Sequence, residues 1–277
     1  METLVVKVGG AAGIDLEAVC EDVARLVSAG HPIVLVHGTS AAADALAARA
    51  GLRVRQLVSP SGHVSRYTDL EMLEIYVAAA GQMNQRVVSV LQRMGCNAIG
   101  LSGADGRLLM ARRKAALRTV EDGRQRVVRD DQSGQLEGAN SGLLRLLLAA
   151  GYVPVVAPVA LGLEAELLNV DGDRAAALLA GALRASTLII LSNVPGLLAR
   201  YPDESSLIRT LLPADLEMAE NKADGRMKKK LLAAREALAT GVARVVLSDS
   251  RQAHPVQAAL TGEGTVIAES RNNGGTM

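Results

Sequence analysis

Aromatic residues are nearly absent from this 277-residue sequence, which has four tyrosines and neither phenylalanine nor tryptophan. Base-stacking platforms and aromatic-lined sugar or choline sites therefore lack their material, and the core must be built from Leu, Val, Ala and Ile. Cysteine is equally scarce. Cys20 and Cys96 have no CxxC spacing, so they give neither a disulfide framework nor a zinc site and read as inert packing residues. Charge of one sign is not in excess either: 30 basic residues face 29 acidic ones, which argues against a nucleic-acid partner. No apolar run is long enough to span a bilayer and no basic-then-apolar leader opens the sequence, so a cytoplasmic protein with no membrane partner is expected. The P-loop, the GxGxxG fingerprint, HExxH and the GxSxG elbow are all missing. The four histidines lie far apart, which leaves little support for a histidine relay.

What is present is 49% apolar and organised. TLVVKVGG reads as a buried parallel strand that stops at paired glycines. Leu16, Val19, Val23, Leu26 and Val27 recur at helical spacing, and Gly30 closes that helix. PIVLVHG is a second strand, followed by an alanine-rich helix over about 40–50. This alternation predicts a parallel sheet with helices on both faces. Residues 52–66 read as a loop or short hairpin. A helix over about 69–94 exceeds what core packing needs, which makes it a candidate homodimer surface. AIGLSG is a strand, 107–129 a β-meander and 135–150 a helix. YVPVVAP and a short strand at 165–169 follow, then a helix over 171–184 and the strand TLIILSNV. A helix over 226–240 precedes RVVLSD, the last clear strand.

In open α/β sheets ligands sit beyond the carboxyl ends of the strands. There this sequence places Lys7-Val8-Gly9-Gly10, His37-Gly38-Thr39-Ser40, Asn169-Val170-Asp171-Gly172-Asp173 and Ser192-Asn193-Val194-Pro195-Gly196. A lysine inside an apolar strand is costly to bury unless an anion awaits it, the alternative being an edge lysine that snorkels. Glycine turns entering helices let backbone N–H groups approach phosphate or carboxylate oxygens. In the run Lys228-Lys229-Lys230 successive residues turn by about 100°. Lys229 then points away from the inward stripe of Met227, Leu231, Ala234 and Leu238, while Lys228 and Lys230 lie on opposite shoulders that periodicity does not separate. Polyanion-binding turns and buried lysines suit phosphoryl transfer to a carboxylate, which is already ionised at neutral pH and needs no general base.

Seven motifs occur in order: KVGG (7–10), HGTS (37–40), SRYTD (65–69), GLSGADGR (100–107), NVDGD (169–173), LSNVPGLLARYPDE (191–204) and GRMKKK (225–230). Together they resemble the amino-acid kinase superfamily and, within it, the acetylglutamate kinase branch. The resemblance implies a three-layer α/β/α sandwich with a mostly parallel central sheet. It also implies an acyl-acceptor lobe (1–184) and an ATP-binding lobe (185–267) on that sheet, with a tail at 268–277 that is expected to be disordered. It assigns Lys7 and Lys230 as transition-state lysines, Asp173 as the carboxylate that orients them, and Gly38, Thr39, Arg66 and Asn169 to the acceptor. Gly9 and Gly10 would cradle phosphates, and Ser192, Asn193, Gly196, Tyr201, Pro202 and Asp203 would wall the nucleotide pocket. Thr39 departs from the pattern, which normally has glycine there, and its Cβ could crowd the acceptor or resist the backbone angles glycine allows.

ATP, with Mg²⁺ carried by the nucleotide, is the implied cofactor set, and no protein metal ligand is assigned. Members of the branch act on free N-acetylglutamate, or on glutamate or aminoadipate attached to a small acidic amino-group carrier protein. Residues 106–129 hold eight basic residues against two acidic ones, which suits docking of such a carrier, with Arg112, Arg113 and Lys114 as candidate contacts. The expectation is phosphorylation of carrier-bound 2-aminoadipate in lysine biosynthesis. The same reaction on carrier-bound glutamate or free N-acetylglutamate, or a non-catalytic regulatory protein of this fold, are the alternatives.

Overall fold

The computed structural model describes residues 2–60, 62, 64–121, 124–223 and 225–269. Its first elements follow the hydrophobic pattern closely. The opening apolar run is strand β1 (Leu4–Val8), and the helical spacing after it is α1 (Leu16–Ser28), where the Asp15 side chain caps the Ala18 amide. Strand β2 (Ile33–His37) and helix α2 (Ser40–Arg49) repeat the unit. The aperiodic stretch forms a small antiparallel hairpin, β3 (Gln56–Val58) with β4 (Val64–Arg66). Asp69 caps α3 (Leu70–Arg93), which leads to β5 (Ala98–Ser102). Helix α3 is buried along one face from Met72 to Leu91 against α1, α2 and β5. The residues of its opposite face are exposed or half-buried.

The expected meander over 107–129 is replaced by something less local. Its strands are β6 (Leu109–Arg113), β7 (Leu117–Glu121) and β8 (Arg124–Val128), followed by β9 (Gly134–Ala139). β6 pairs with β9, while β7 and β8 form a separate hairpin. Side-chain alternation tells which face a residue takes but not which strand it pairs with. β9 also occupies the first residues of the helix expected over 135–150. That helix, α4, runs Ser141–Ala149, because Asn140 caps the Leu143 amide and starts it there.

Strands β10 (Val153–Ala157), β11 (Val159–Leu161) and β12 (Leu167–Asn169) lead to α5 (Gly172–Leu183) and β13 (Thr187–Ser192). Then come β14 (Thr210–Leu211), α6 (Leu216–Lys222), α7 (Gly225–Ala239), β15 (Arg244–Asp249), α8 (Pro255–Thr261) and β16 (Thr265–Ala268). β11, β14, β16, α6 and α8 were not legible in the sequence, each being too short to establish a period. The last strand reaches Ala268, the first residue of the expected tail; 270–277 lie outside the described residues.

Eight strands form the central sheet in the order β14-β16-β15-β13-β1-β2-β10-β5. All neighbours from β15 through β5 are parallel, and β16 runs antiparallel to β15. Alternation along β1 sends Val5 into the layer of α4, α5 and α7, and Leu4, Val6 and Val8 into the layer of α1, α3 and α8. The molecule is thus the expected three-layer α/β/α sandwich. Cys20 and Cys96 are both buried in the second layer. Burial, with Cys96 nearby, pushes the Cys20 thiol up to about 12, in keeping with packing residues. The chain winds from β1 to β2 and β10 on one side and from β13 to β15 on the other. A crevice therefore opens at the carboxyl ends of β1 and β13.

Candidate active site

Lys7 lies two residues beyond Val5, so the strand period turns it toward the α5 layer at the carboxyl end of β1. Helix α5 begins at that point. Asp171 caps it by accepting from the Asp173 and Arg174 amides at 3.0 and 3.1 Å, which fixes Asp173 in the first turn. Lys230 comes from α7, which packs along α5. All three side chains are buried, and they meet. Lys7 Nζ stands 2.5 Å from Asp173 Oδ1, and Lys230 Nζ 3.0 Å from Oδ2. Since both ammonium groups touch one carboxylate, they lie within the roughly 8 Å Debye length of physiological salt.

Two cations on one anion leave a net positive charge in a site shielded from water. Burial alone would raise the Asp173 carboxyl, but Lys230 and Lys7 overcome it and hold it well below the usual carboxylate range. Burial likewise draws Lys230 below the ordinary lysine value, against the pull of Asp173. The neighbouring Lys229 differs from the helical-wheel expectation. It is half-buried, and its Nζ is 3.7 Å from Asp171 Oδ2. The second turn of α7 lies beside the cap of α5, so a residue off the inward stripe still finds a partner there.

The glycine turns after β1 and β2 pack backbone against backbone. A Cβ on Gly10 would lie 2.5 Å from the Thr39 nitrogen, and one on Gly38 2.2 Å from the Gly10 nitrogen. Close approach, more than ligand contact, accounts for these glycines. The Gly38 amide donates to the Val8 carbonyl and the Gly9 amide to that of Leu191. The Gly10 carbonyl accepts from the Ser40 hydroxyl and the Ala41 amide at 2.8 and 2.7 Å, so the two turns form one unit. Thr39 has a φ of −127°, a conformation that carries no penalty for a side chain, so it does not resist the backbone glycine would adopt.

Beneath these turns His37 meets Asn84 of α3, with Asn84 Nδ2 at 3.3 Å from His37 Nε2 and 2.9 Å from the Val155 carbonyl. Burial lowers His37 to about 4, despite a hydrogen bond with the Gly38 backbone. It is neutral at physiological pH and supplies no charge to the site. Asn84 was not singled out in the sequence, although its place on the stripe of Tyr76, Ala80, Val87 and Leu91 marks a polar residue aimed inward.

Arg66 lies against α2, its Nη1 2.5 Å from Asp44 and its Nη2 donating to the Ser40 carbonyl at 3.1 Å. Asn169 donates to Thr68 Oγ1 at 2.9 Å, and the Thr68 amide donates to buried Asp131 at 2.9 Å. Arg66 and Asn169 are thus joined through Thr68, whose hydroxyl donates to the Arg66 carbonyl. Thr68 lies within the SRYTD motif but is given no role there, and Asp131 carries no local sequence signal. Asp171 did carry one, as a cap residue just before a helix.

At the carboxyl end of β13, the Ser192 carbonyl accepts from the Ser250 amide and hydroxyl at 2.7 and 2.9 Å. Asn193 is exposed at the mouth of the crevice. Gly196 has φ +153°, and a Cβ there would meet Thr265 Oγ1 at 2.6 Å, so packing against β16 requires it. Tyr201 is 81% exposed and precedes Pro202 through a cis bond. The Asp203 carboxylate is occupied by the Ser205 amide and hydroxyl and by Arg200, which hold its pKa down. Arg251, not anticipated, pairs with Asp249 at the end of β15 and with Glu204, tying the segment to the sheet.

The three basic residues of β6 and its end do not form one patch. Arg112 is exposed and pairs with Glu137 at 2.7 Å. Arg113 donates to the Asp131 and Arg129 carbonyls. Lys114 is half-buried, with its amide bonded to the Ser133 carbonyl.

Comparison with known proteins agrees with this architecture. Two relatives named "[LysW]-aminoadipate kinase" are each 51% identical to this chain. The one from Deinococcus radiodurans aligns over 96% of this chain and 91% of its own length, and the one from Thermus thermophilus over 95% and 99%. A "[LysW]-aminoadipate/[LysW]-glutamate kinase" from Saccharolobus solfataricus is 34% identical over 96% of this chain and 99% of its own. Among solved structures, N-acetylglutamate synthase from Neisseria gonorrhoeae, complexed with coenzyme A and N-acetyl-glutamate, superposes with a TM-score of 0.79 at 26% identity. That match covers 98% of this chain, which spans 60% of the synthase. The profile of the Amino acid kinase family matches residues 2–249. By sequence and by fold alike, this chain is a member of the amino acid kinase family.

Proposed function

We propose that this protein transfers the γ-phosphoryl group of ATP to the side-chain carboxylate of L-2-aminoadipate joined through its amino group to a small acidic, LysW-like carrier protein. The product is an acyl phosphate in cytoplasmic lysine biosynthesis. The observation that carries the reading is the single buried carboxylate of Asp173 holding Lys7 and Lys230 at the carboxyl ends of the strands. The names of the two 51% identical relatives support the acceptor.

In this reading an acceptor carboxylate oxygen forms a bond to the γ-phosphorus as the bond from phosphorus to the β–γ bridging oxygen breaks, and ADP leaves. Both reactants are anions, and the surplus positive charge of the trio offsets their repulsion as charge gathers on the transferred group. Asp173 cannot act as a base, since both its oxygens are engaged and its proton affinity is low. It serves as the anchor of the two lysines. Among the described residues there is no cluster of three or more metal-ligating side chains. Mg²⁺ in this proposal is carried by ATP and would supply further charge cover at the transferred group.

The acceptor lies on the lobe of residues 1–184, near Gly38, Thr39, Arg66 and Asn169. The nucleotide lies on the lobe of 185–267, along Ser192–Gly196 with Tyr201 and Asp203, and reaches Gly9 and Gly10 with its phosphates. Arg112, with Arg118, Arg124 and Arg126 of the exposed β7–β8 hairpin, offers the carrier a basic surface. A homodimer through the outer face of α3 completes the proposal. A second acceptor, carrier-bound glutamate, is favoured by the dual name of the Saccharolobus relative. One methylene discriminates by only about 1–3 kcal/mol. Trapping the acyl phosphate with hydroxylamine tests the reading. Hydroxamate forms with the aminoadipate-loaded carrier, whereas turnover of free N-acetylglutamate alone, or none with any acceptor, overturns it.

A further inference from the structure

The sequence places Lys114 in a docking surface, but the structure sets it, half-buried, beside the strand of Asn169. Its amide donates to the Ser133 carbonyl at 3.0 Å, and Ser133 in turn bridges to Asn169. This places the residue beside the strand that carries Asn169 and leads into Asp171. Burial, with the charges of Arg174 and Lys229, draws its ammonium below the ordinary lysine value, against the pull of Asp131 and Asp171. All four are already engaged. Arg174 makes a two-pronged pair with Glu236 at 2.9 and 2.6 Å, Lys229 faces Asp171, and both Asp131 oxygens accept backbone amides, those of Thr68 and Ser133. Asp171 spends one oxygen on the cap of α5. Among the described residues Lys114 makes no ion pair within 4 Å. A half-buried ammonium beside committed carboxylates is costly to maintain. With two cations and two committed carboxylates bearing on it, the position is suited to an anion from outside.

We infer that Lys114 is an acceptor-binding residue that takes an oxygen of a non-reacting carboxylate at the junction of amino acid and carrier, beside Asn169. The ligand is a carboxylate that does not receive phosphate. The α-carboxylate of the amino acid and the terminal carboxylate of the carrier residue to which it is joined share this chemistry. The nucleotide is not the ligand, because Lys7 and Lys230 already occupy the reacting centre. This assignment rests on the proposed carboxylate acceptor. It departs from docking in a way kinetics can separate, since a carrier lacking its terminal residue engages only the docking surface, whereas a loaded carrier also fills the acceptor site.

The test compares wild-type protein with Lys114→Ala, Lys114→Arg and Arg112→Ala, using carrier loaded with 2-aminoadipate as substrate and the carrier lacking its terminal residue as competitive inhibitor. Loss of a hydrogen bond to a charged group predicts that Lys114→Ala raises KM for the loaded carrier about ten- to hundredfold. The inhibition constant of the shortened carrier and KM for ATP stay within about twofold, and Lys114→Arg recovers most of the loss. Loaded carrier that keeps its terminal residue but bears 2-aminoadipate as the α-amide separates the two carboxylate sources. If this substrate removes the effect of Lys114→Ala, the α-carboxylate is the ligand; if the effect persists, the terminal carboxylate is. Parallel loss of affinity for loaded and shortened carrier assigns Lys114 to docking and overturns the inference, as does a raised KM for ATP or an unchanged KM for the loaded carrier. Wild-type protein without activity on the loaded carrier overturns the proposed function itself.

Discussion

Asp173 is the residue through which the site holds together, because each of its oxygens restrains a different lysine. Asp173→Asn leaves two buried ammonium groups without a counter-charge, and we expect it to cost about 3–5 kcal/mol at neutral pH. The folded-state pKa of Asp173 lies below its unfolded value. The stability it contributes is therefore complete above the ordinary carboxylate range and is lost as pH falls through the folded value. Denaturation of both proteins across pH checks this, with the gap widest near neutrality and narrowing in acid. The rate should show no step near pH 6.5, since His37 titrates at about 4. It should fall on the alkaline side earlier than an ordinary lysine would dictate, since the proposed reaction needs Lys230 charged and burial lowers its pKa. Lys7 was legible in the sequence because a lysine inside an apolar strand demands an explanation. Lys230 was not separable from Lys228 by periodicity, and only the family pattern distinguished them. The roles of Asp131 and of Thr68, which sits inside the SRYTD motif, were not legible, since they come from contacts between residues 63 positions apart.

At the scale of elements, the start of α5 converts sequence into geometry. Asp171 caps two amides and faces Lys229, so Asp171→Ala removes a cap worth about 1 kcal/mol. The rate should fall by more than this destabilisation explains, because the turn that aims Asp173 loosens. Asp171→Asn retains the cap and should restore stability in thermal unfolding while recovering only part of the rate. Equal stability for Asp171→Ala and wild type would remove the cap from this account. The parallel strands and long helices were legible because each is long enough to show its period. The region from Leu109 to Ala139 was not: β6 finds its partner beyond an intervening hairpin, and nothing along β6 names β9.

For the whole molecule, the sheet reverses its winding between β1 and β13, and the glycine turns, the lysine pair and the α5 cap gather at that reversal. The layered architecture was legible from alternating strands and helices. The distribution of surface charge was not, because the arginines of residues 106–129 disperse among a strand end, backbone carbonyls and an exposed hairpin. Replacing Arg118, Arg124 and Arg126 with Ser should raise KM for the loaded carrier severalfold and flatten its dependence on ionic strength. KM for ATP serves as the control. A salt dependence equal to that of wild type would place docking elsewhere.

Single-turnover phosphoryl transfer in Lys7→Ala and Lys230→Ala, measured beside equilibrium binding of ATP, tests the paired-lysine claim most directly. Each substitution should slow transfer by about a hundredfold or more while ATP affinity changes by less than tenfold. Transfer at the wild-type rate in either variant, or a loss fully accounted for by weaker ATP binding, would contradict it.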